Sequence, residues 1–167
     1  MEFRFGSGPV VWDRGTNIYI GSDGGFSGYY HDSDMNDTGD GYPNGTEYVC
    51  SFNGKFTALE KTGDFEYSMT CESVQPVEAM YTNGTVGDIE IVDGVRIITT
   101  VPYGFDSADE FKLYLPGKNI DELPEAFLNW VRPAFFSIAG SVTGLPFYGL
   151  YNVSGQEGFS GVTDTHG

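Results

Sequence analysis

The chain has 167 residues, with 8 Lys and Arg against 24 Asp and Glu, for a formal net charge of −16. A surface this acidic repels nucleic-acid phosphates and anionic lipid headgroups, which excludes DNA, RNA and polybasic membrane docking. Apolar residues make up 40% and aromatic residues 16%, too many for a disordered chain, and no apolar run approaches the roughly 20 residues of a spanning helix. The length fits one domain over residues 1–167, with an ordered core over about 3–162.

Short strand-like runs separated by glycine turns dominate the chain. Ile18-Tyr19-Ile20 ends one run, and Ser22-Asp23-Gly24-Gly25 turns it into Phe26-Ser27-Gly28-Tyr29-Tyr30. Tyr48 to Phe52 is expected to meet Lys55 to Leu59 across Asn53-Gly54, the chemistry of a type I′ turn. Thr62-Gly63-Asp64 then leads into Phe65 to Glu72, where Phe65, Tyr67, Met69 and Cys71 share one face. The intervening Glu66, Ser68, Thr70 and Glu72 face water, the period-two pattern of a half-buried strand. Ile89 to Val92 and Val95 to Val101 flank Asp93-Gly94 as another hairpin. Phe111, Leu113 and Leu115 alternate with Lys112 and Tyr114 until Pro116-Gly117 stops the run.

One segment changes period. Ile120, Leu123, Phe127, Trp130 and Val131 recur every three or four residues, which predicts an amphipathic helix over about 121–131 with Pro124 in its first turn. Phe147 to Val153 and Gly158 to Val162 form the last strand pair. The whole reads as an all-β antiparallel meander, an eight- to ten-stranded barrel with one short helix packed against an end. Gly25-Phe26-Ser27-Gly28 and Gly158-Phe159-Ser160-Gly161 are identical four-mers in the second and last predicted strands. Small residues there permit sharp bending, as closure of the barrel by its first and last strands requires.

The two cysteines, Cys50 and Cys71, belong to no CxxC or Cys/His cluster. With hairpins centred on Asn53-Gly54 and Thr62-Gly63, they lie two strands apart and three residues out of line. Two strand spacings come to about 9.5 Å, beyond the roughly 7 Å limit for bridging two α-carbons. Both are therefore expected to be free, buried thiols.

Candidate chemistry is sparse. The stretch Asp32-Ser33-Asp34-Met35-Asn36-Asp37-Thr38-Gly39-Asp40-Gly41 places oxygen donors at alternate positions, and Asp32, Asp34, Asn36 and Asp40 are the candidate Ca²⁺ ligands. It is not an EF-hand, because Asp37 stands where glycine is required and Pro43 where glutamate is. The competing reading is a solvated loop shaped by Asx-turns. Paired carboxylates could hydrolyse a glycosidic bond, but no spacing singles out two of the acids. His31 and His166 lie in no nucleophile motif. Sequons at Asn36, Asn44, Asn83 and Asn152 read as turn chemistry at places where a surface glycan could sit. The remaining lead is aromatic: Trp12, Tyr19, Tyr29, Tyr48, Tyr67, Tyr114 and Tyr148, with Tyr30 and Tyr151, all fall in predicted strands. They either line a pocket, form an outer platform for sugar rings or a partner, or fill the core.

Gly8-Pro9-Val10-Val11-Trp12, with Ile18-Tyr19-Ile20, Asp23-Gly24 and Phe26-Ser27-Gly28-Tyr29, resembles the first hairpin of calycin-type barrels, the lipocalins and avidin-like proteins. Three residues rather than one separate Gly8 from Trp12, the likeness covers about the first 30 residues, and no later segment matches the avidin biotin-contact pattern. Phe26 to Asp34, Gly41-Tyr42-Pro43-Asn44-Gly45-Thr46, Phe52-Asn53-Gly54-Lys55-Phe56 and Leu115-Pro116-Gly117 with the Leu123-Pro124 helix resemble a group of secreted or lipid-anchored bacterial β-domains without assigned activity. That resemblance implies an extracytoplasmic location, secreted or anchored at the cell surface, with the leader already removed. The expected function is a non-catalytic binding or surface domain for a small ligand or glycan, needing no cofactor beyond a candidate Ca²⁺. A carbohydrate-active hydrolase and a structural module of the cell envelope are the alternatives.

Overall fold

Alternation of apolar and polar residues closes this chain into a barrel. The computed structural model describes residues 1–6, 14–135, 138 and 140–162, so Trp12 and His166 lie outside the described residues. Five strands follow one another, β1 (Glu2–Phe5), β2 (Gly15–Ile20), β3 (Gly25–Asp34), β4 (Thr46–Gly63) and β5 (Glu66–Pro76). Two short pairs come next, β6 (Glu78–Ala79) with β7 (Thr82–Asn83), and β8 (Ile89–Val92) with β9 (Val95–Thr99). The barrel resumes with β10 (Glu110–Tyr114), is interrupted by helix α1 (Glu125–Val131), and ends with β11 (Gly149–Asn152) and β12 (Glu157–Gly161).

Eight of these strands form a closed antiparallel ring, β1-β2-β3-β4-β5-β10-β11-β12, sealed by the pairing of β12 with β1. Phe3 lies opposite Gly161, so the first and last strands meet as expected. Full closure removes the exposed edges that an open sheet of this size would carry. Outside the ring, β9 lies parallel to the start of β4, and β8 extends the sheet to ten strands. That parallel ladder lay outside the expected antiparallel meander.

The hairpins at Asp23-Gly24 and Asp93-Gly94 form where expected, as does the turn that joins β11 to β12. Asn53-Gly54 does not turn. It lies within β4, an 18-residue strand that continues straight through it. The glycine serves a different need: a Cβ at Gly54 would lie 2.1 Å from Cζ of Phe26 and 2.3 Å from the Ser73 carbonyl oxygen. Gly28, opposite Phe52, makes room in the same way, so each of two inward phenylalanines faces a glycine across the β3–β4 ladder. Removing Cβ lets the large rings of a neighbouring strand cross the narrow interior.

The losing hairpin carried the cysteine register with it. Cys50 lies opposite Tyr30 and Cys71 opposite Phe56, six residues further along β4, a separation of about 20 Å along the strand. Both thiols are nevertheless free and buried, and burial pushes each up to about 11. Thiol titration of the denatured protein without reductant is expected to count two sulfhydryls, with slow reaction in the native state. A count near zero would contradict this packing.

The helix is shorter than its pattern. A 3₁₀ turn at Ile120–Glu122 precedes Pro124, which stands at the N-cap, and α1 begins at Glu125. It packs on the outer wall of β10 to β12, and its Trp130 also reaches the end where β11 turns into β12, with its ring 4.5 Å from that of Phe5 and its indole N–H donating to the Gln156 carbonyl. Phe127 is fully buried on that wall against Tyr114 and Tyr151, with Gly149 and Gly158 beneath its ring. This makes a second small core outside the barrel.

Candidate functional site

The barrel interior is aromatic, but phenylalanine supplies it. Phe3, Phe5, Phe26, Phe52, Phe111 and Phe159 point inward with Ile18, Cys50 and Leu150, and together they fill the lumen. An eight-stranded barrel is just wide enough for side chains to fill it, and these buried side chains pack together as one core.

The two ends differ. At the end where β11 turns into β12, the loop before β10 folds inward and inserts Phe105, whose ring contacts those of Phe26, Phe52, Phe111 and Phe159. Three buried polar groups hold this plug. The Thr16 hydroxyl donates to the Tyr103 carbonyl at 2.6 Å. The Asn152 amide donates to the carbonyls of Gly104 and Asp106 and to the Glu157 carboxylate, while its oxygen accepts from the Gly155 N–H. Glu157, 5% exposed, accepts from that amide, and the backbone of Asp106 and Gly104 favours its ionised form. Burial, with the Asp106 charge nearby, raises its carboxyl above the ordinary value. No sequence signal marked Phe105, which sits among turn-forming residues in Tyr103-Gly104-Phe105-Asp106.

The opposite end is open. A cleft of about 320 Å³ lies there, floored by Phe56, Met69 and Leu113 and walled by Ile20, Leu59 and the Gly21–Gly24 turn. A bulge in β4 shapes its lip. Thr57 pairs with Thr70 and Glu60 with Ser68, so Ala58 and Leu59 together face Met69. Ala58 adopts a φ of 54°, a left-handed conformation that costs a non-glycine residue on the order of 1 kcal/mol. The bulge throws Leu59 out over the cleft, where 62% of it is exposed. The rim is polar: the Gly25 N–H and the Lys55 ammonium hold the Asp23 carboxyl below its usual range.

The aromatic candidates scatter. Tyr19, Tyr29 and Tyr148 point outward and are exposed. Tyr114 is sealed beneath Phe127 on the outer wall, and Tyr67 packs half-buried against the main core. Tyr48 donates toward Asp37 at 3.4 Å, and burial raises its phenol. Tyr30 lies inward beside Tyr103, and burial pushes it up to about 12. None of these tyrosines lines the open cleft.

The acidic loop is organised by cations and by its own backbone. Arg14 pairs with Asp32 at 3.1 Å, and the Asp34 carboxylate accepts from the Asn36 N–H, an Asx-turn. Arg96 reaches from β9 to Asp37 at 2.5 Å, bonds Tyr42 and Thr46, and lies over the Tyr42 ring. Gly39 bridges to Tyr42, which folds Asp40 into a turn. Among the described residues, no three His, Cys, Asp or Glu side chains gather closely enough to hold a metal ion.

Of the four sequons, Asn36, Asn44 and Asn83 are exposed. Asn152 is not a surface position: it is fully buried, with its amide spent on the plug. Thr46 of the Asn44 sequon is also buried and donates to the Asp37 carbonyl.

The closed eight-stranded meander is compatible with a calycin-like fold. Comparison with known proteins yields no matching family model, no matching curated protein and no matching solved structure. No helix among the described residues is long and apolar enough to cross a membrane.

Proposed function

We propose that this is a non-catalytic binding domain that takes a small, largely apolar molecule at the open end of the barrel. The observation that carries the reading is the cleft above Phe56, Met69 and Leu113, an apolar concavity with a few polar groups on its rim. That make-up, at the mouth of a barrel, is the usual one for a small-molecule site. The filled lumen supports a shallow site rather than a deep one, and the strained bulge at Ala58 supports a lip shaped for contact. An extracytoplasmic setting belongs to the same reading and rests on the resemblance to secreted and lipid-anchored domains.

The four methionines make the test direct. Met1 and Met69 line the cleft, whereas Met35 and Met80 are exposed elsewhere. Titration of ¹³C-methyl-methionine protein with a neutral naphthylamine dye is expected to shift the Met69 and Met1 signals and leave the other two in place. Leu59→Lys, at an exposed position, is expected to weaken dye binding about tenfold without lowering the melting temperature. Shifts at all four methyls, at none, or an L59K protein that binds as before would refute the site.

A further inference from the structure

The outer wall formed by β2, β3, β4 and the end of β5 stands apart from the rest of this acidic surface. Two rows of side chains cross it. Tyr19, Ser27, Asn53 and Gln75 are successive register partners in one row, which spans three strand spacings, about 14 Å. Asn17, Tyr29 and Ser51 form the row beside it. None of these side chains is charged, in a chain whose formal net charge is −16. Two ion pairs border the wall, Glu2 with Arg4 at 2.9 Å and Asp23 with Lys55 at 3.6 Å, and the His31 imidazole lies 3.6 Å from the Glu47 carboxylate. The two tyrosines are 54% and 43% exposed, and the His31 ring lies nearly parallel to that of Tyr29, at 18°.

From this arrangement we infer a second binding site, separate from the barrel mouth: the wall recognises a neutral, β-linked oligosaccharide of all-equatorial pyranose units. Such a sugar carries its axial C–H groups on its ring faces and its hydroxyls around its edge. The faces stack on Tyr19 and Tyr29, as apolar C–H groups do on aromatic rings. The edge hydroxyls meet amides and hydroxyls that both donate and accept, at Asn17, Ser27, Asn53 and Gln75. A neutral wall rimmed by paired charges suits an uncharged chain and offers nothing to an anionic one, which the surrounding field repels. A protein partner that buried this wall would cover polar rows with no core of large apolar side chains, the opposite of a stable interface centre.

The test uses cellohexaose as probe and a β-1,4-linked oligoglucuronate as its anionic counterpart, with NMR observation of side-chain amides and aromatic rings. Cellohexaose is expected to shift the Asn53 and Gln75 side-chain amides and the Tyr19 and Tyr29 rings, and to leave the Met69 methyl at the barrel mouth unmoved. Tyr29→Ala and Tyr19→Ala, both at exposed positions, are each expected to weaken binding about tenfold. The oligoglucuronate is expected to produce no shifts. The inference is overturned by an absence of shifts at millimolar cellohexaose, by full affinity in Y29A, or by preference for the anionic sugar. Shifts that depend on protein concentration without sugar would assign the wall to a second copy of the chain and overturn it equally. Because the naphthylamine titration reads other residues, failure of either site leaves the other standing.

Discussion

Asn152→Ala is expected to lower the unfolding free energy by about 3 kcal/mol at pH 7, and by clearly less at pH 4. The side chain is fully buried and serves as the hub of the plug, bonding Gly104, Asp106, Glu157 and Gly155. Alanine leaves several buried polar groups without that partner, and each unsatisfied group costs roughly 1–3 kcal/mol. The pH dependence follows from Glu157. Its carboxyl is raised above the unfolded-state value by burial, so the folded protein binds its proton more tightly than the unfolded chain does. The stability linked to that proton is present at low pH and is lost as pH rises through the raised folded-state value. At pH 7 the ionised carboxylate depends on the Asn152 amide as one of its donors, and the substitution removes it. At pH 4 the protonated carboxyl demands less of its surroundings, so the penalty shrinks. Urea unfolding of both proteins at the two pH values measures the difference. An equal loss at both would show that the plug does not couple to Glu157, and a loss below about 1 kcal/mol would show that it is not held by Asn152.

Strand periodicity made most of the barrel wall legible, because a one-face-buried strand writes its orientation every second residue. Met69 and Cys71 on β5 and Phe111 and Leu113 on β10 point inward as their alternation demands. The Asp-Gly hairpins were readable for the same local reason, since the turn type selects its residues. Asn53-Gly54 misled because the same dipeptide satisfies two demands. A turn wants glycine for its backbone freedom, and a crowded barrel wall wants it for its missing Cβ, and only the position of Phe26 separates the two. The aromatic residues misled in a related way. Alternation tells which residues share a face, but a face can look onto the lumen, onto α1 or onto solvent. Tyr67, Tyr114 and Tyr29 meet these three fates in turn. The open cleft was illegible because its lip depends on a bulge, and Ala58-Leu59 carries none of the glycine chemistry that announces one. The plug was illegible because Phe105 reaches its ring partners only through long-range closure of the chain.

Gly54→Ala tests the central packing device of the barrel, with an expected loss on the order of 3 kcal/mol, at the upper end for overpacking. The added methyl would meet two obstacles of different stiffness. The Phe26 ring, 2.1 Å away, can rotate or retreat at some cost to its contacts with Phe56 and Phe105. The Ser73 carbonyl, 2.3 Å away, belongs to the β4–β5 ladder and moves only if backbone pairing is disturbed. Phe26→Leu in the G54A background should therefore recover part of the loss and not all of it, and a double-mutant cycle reads the recoverable part as coupling between positions 26 and 54. Gly63→Ala is the control. The nearest atom to its new methyl is Glu66 Cβ at 3.6 Å, so its stability should stay within about 0.5 kcal/mol of the parent. Thermal and urea unfolding of the four variants decide the matter. A G54A protein that melts with the parent would mean that Phe26 and Gly54 do not face each other across the lumen. A slip of one residue in the β3–β4 register would then be required. That slip would turn Phe52 and Phe56 out of the core and take from the Phe105 plug its contact with the Phe52 ring.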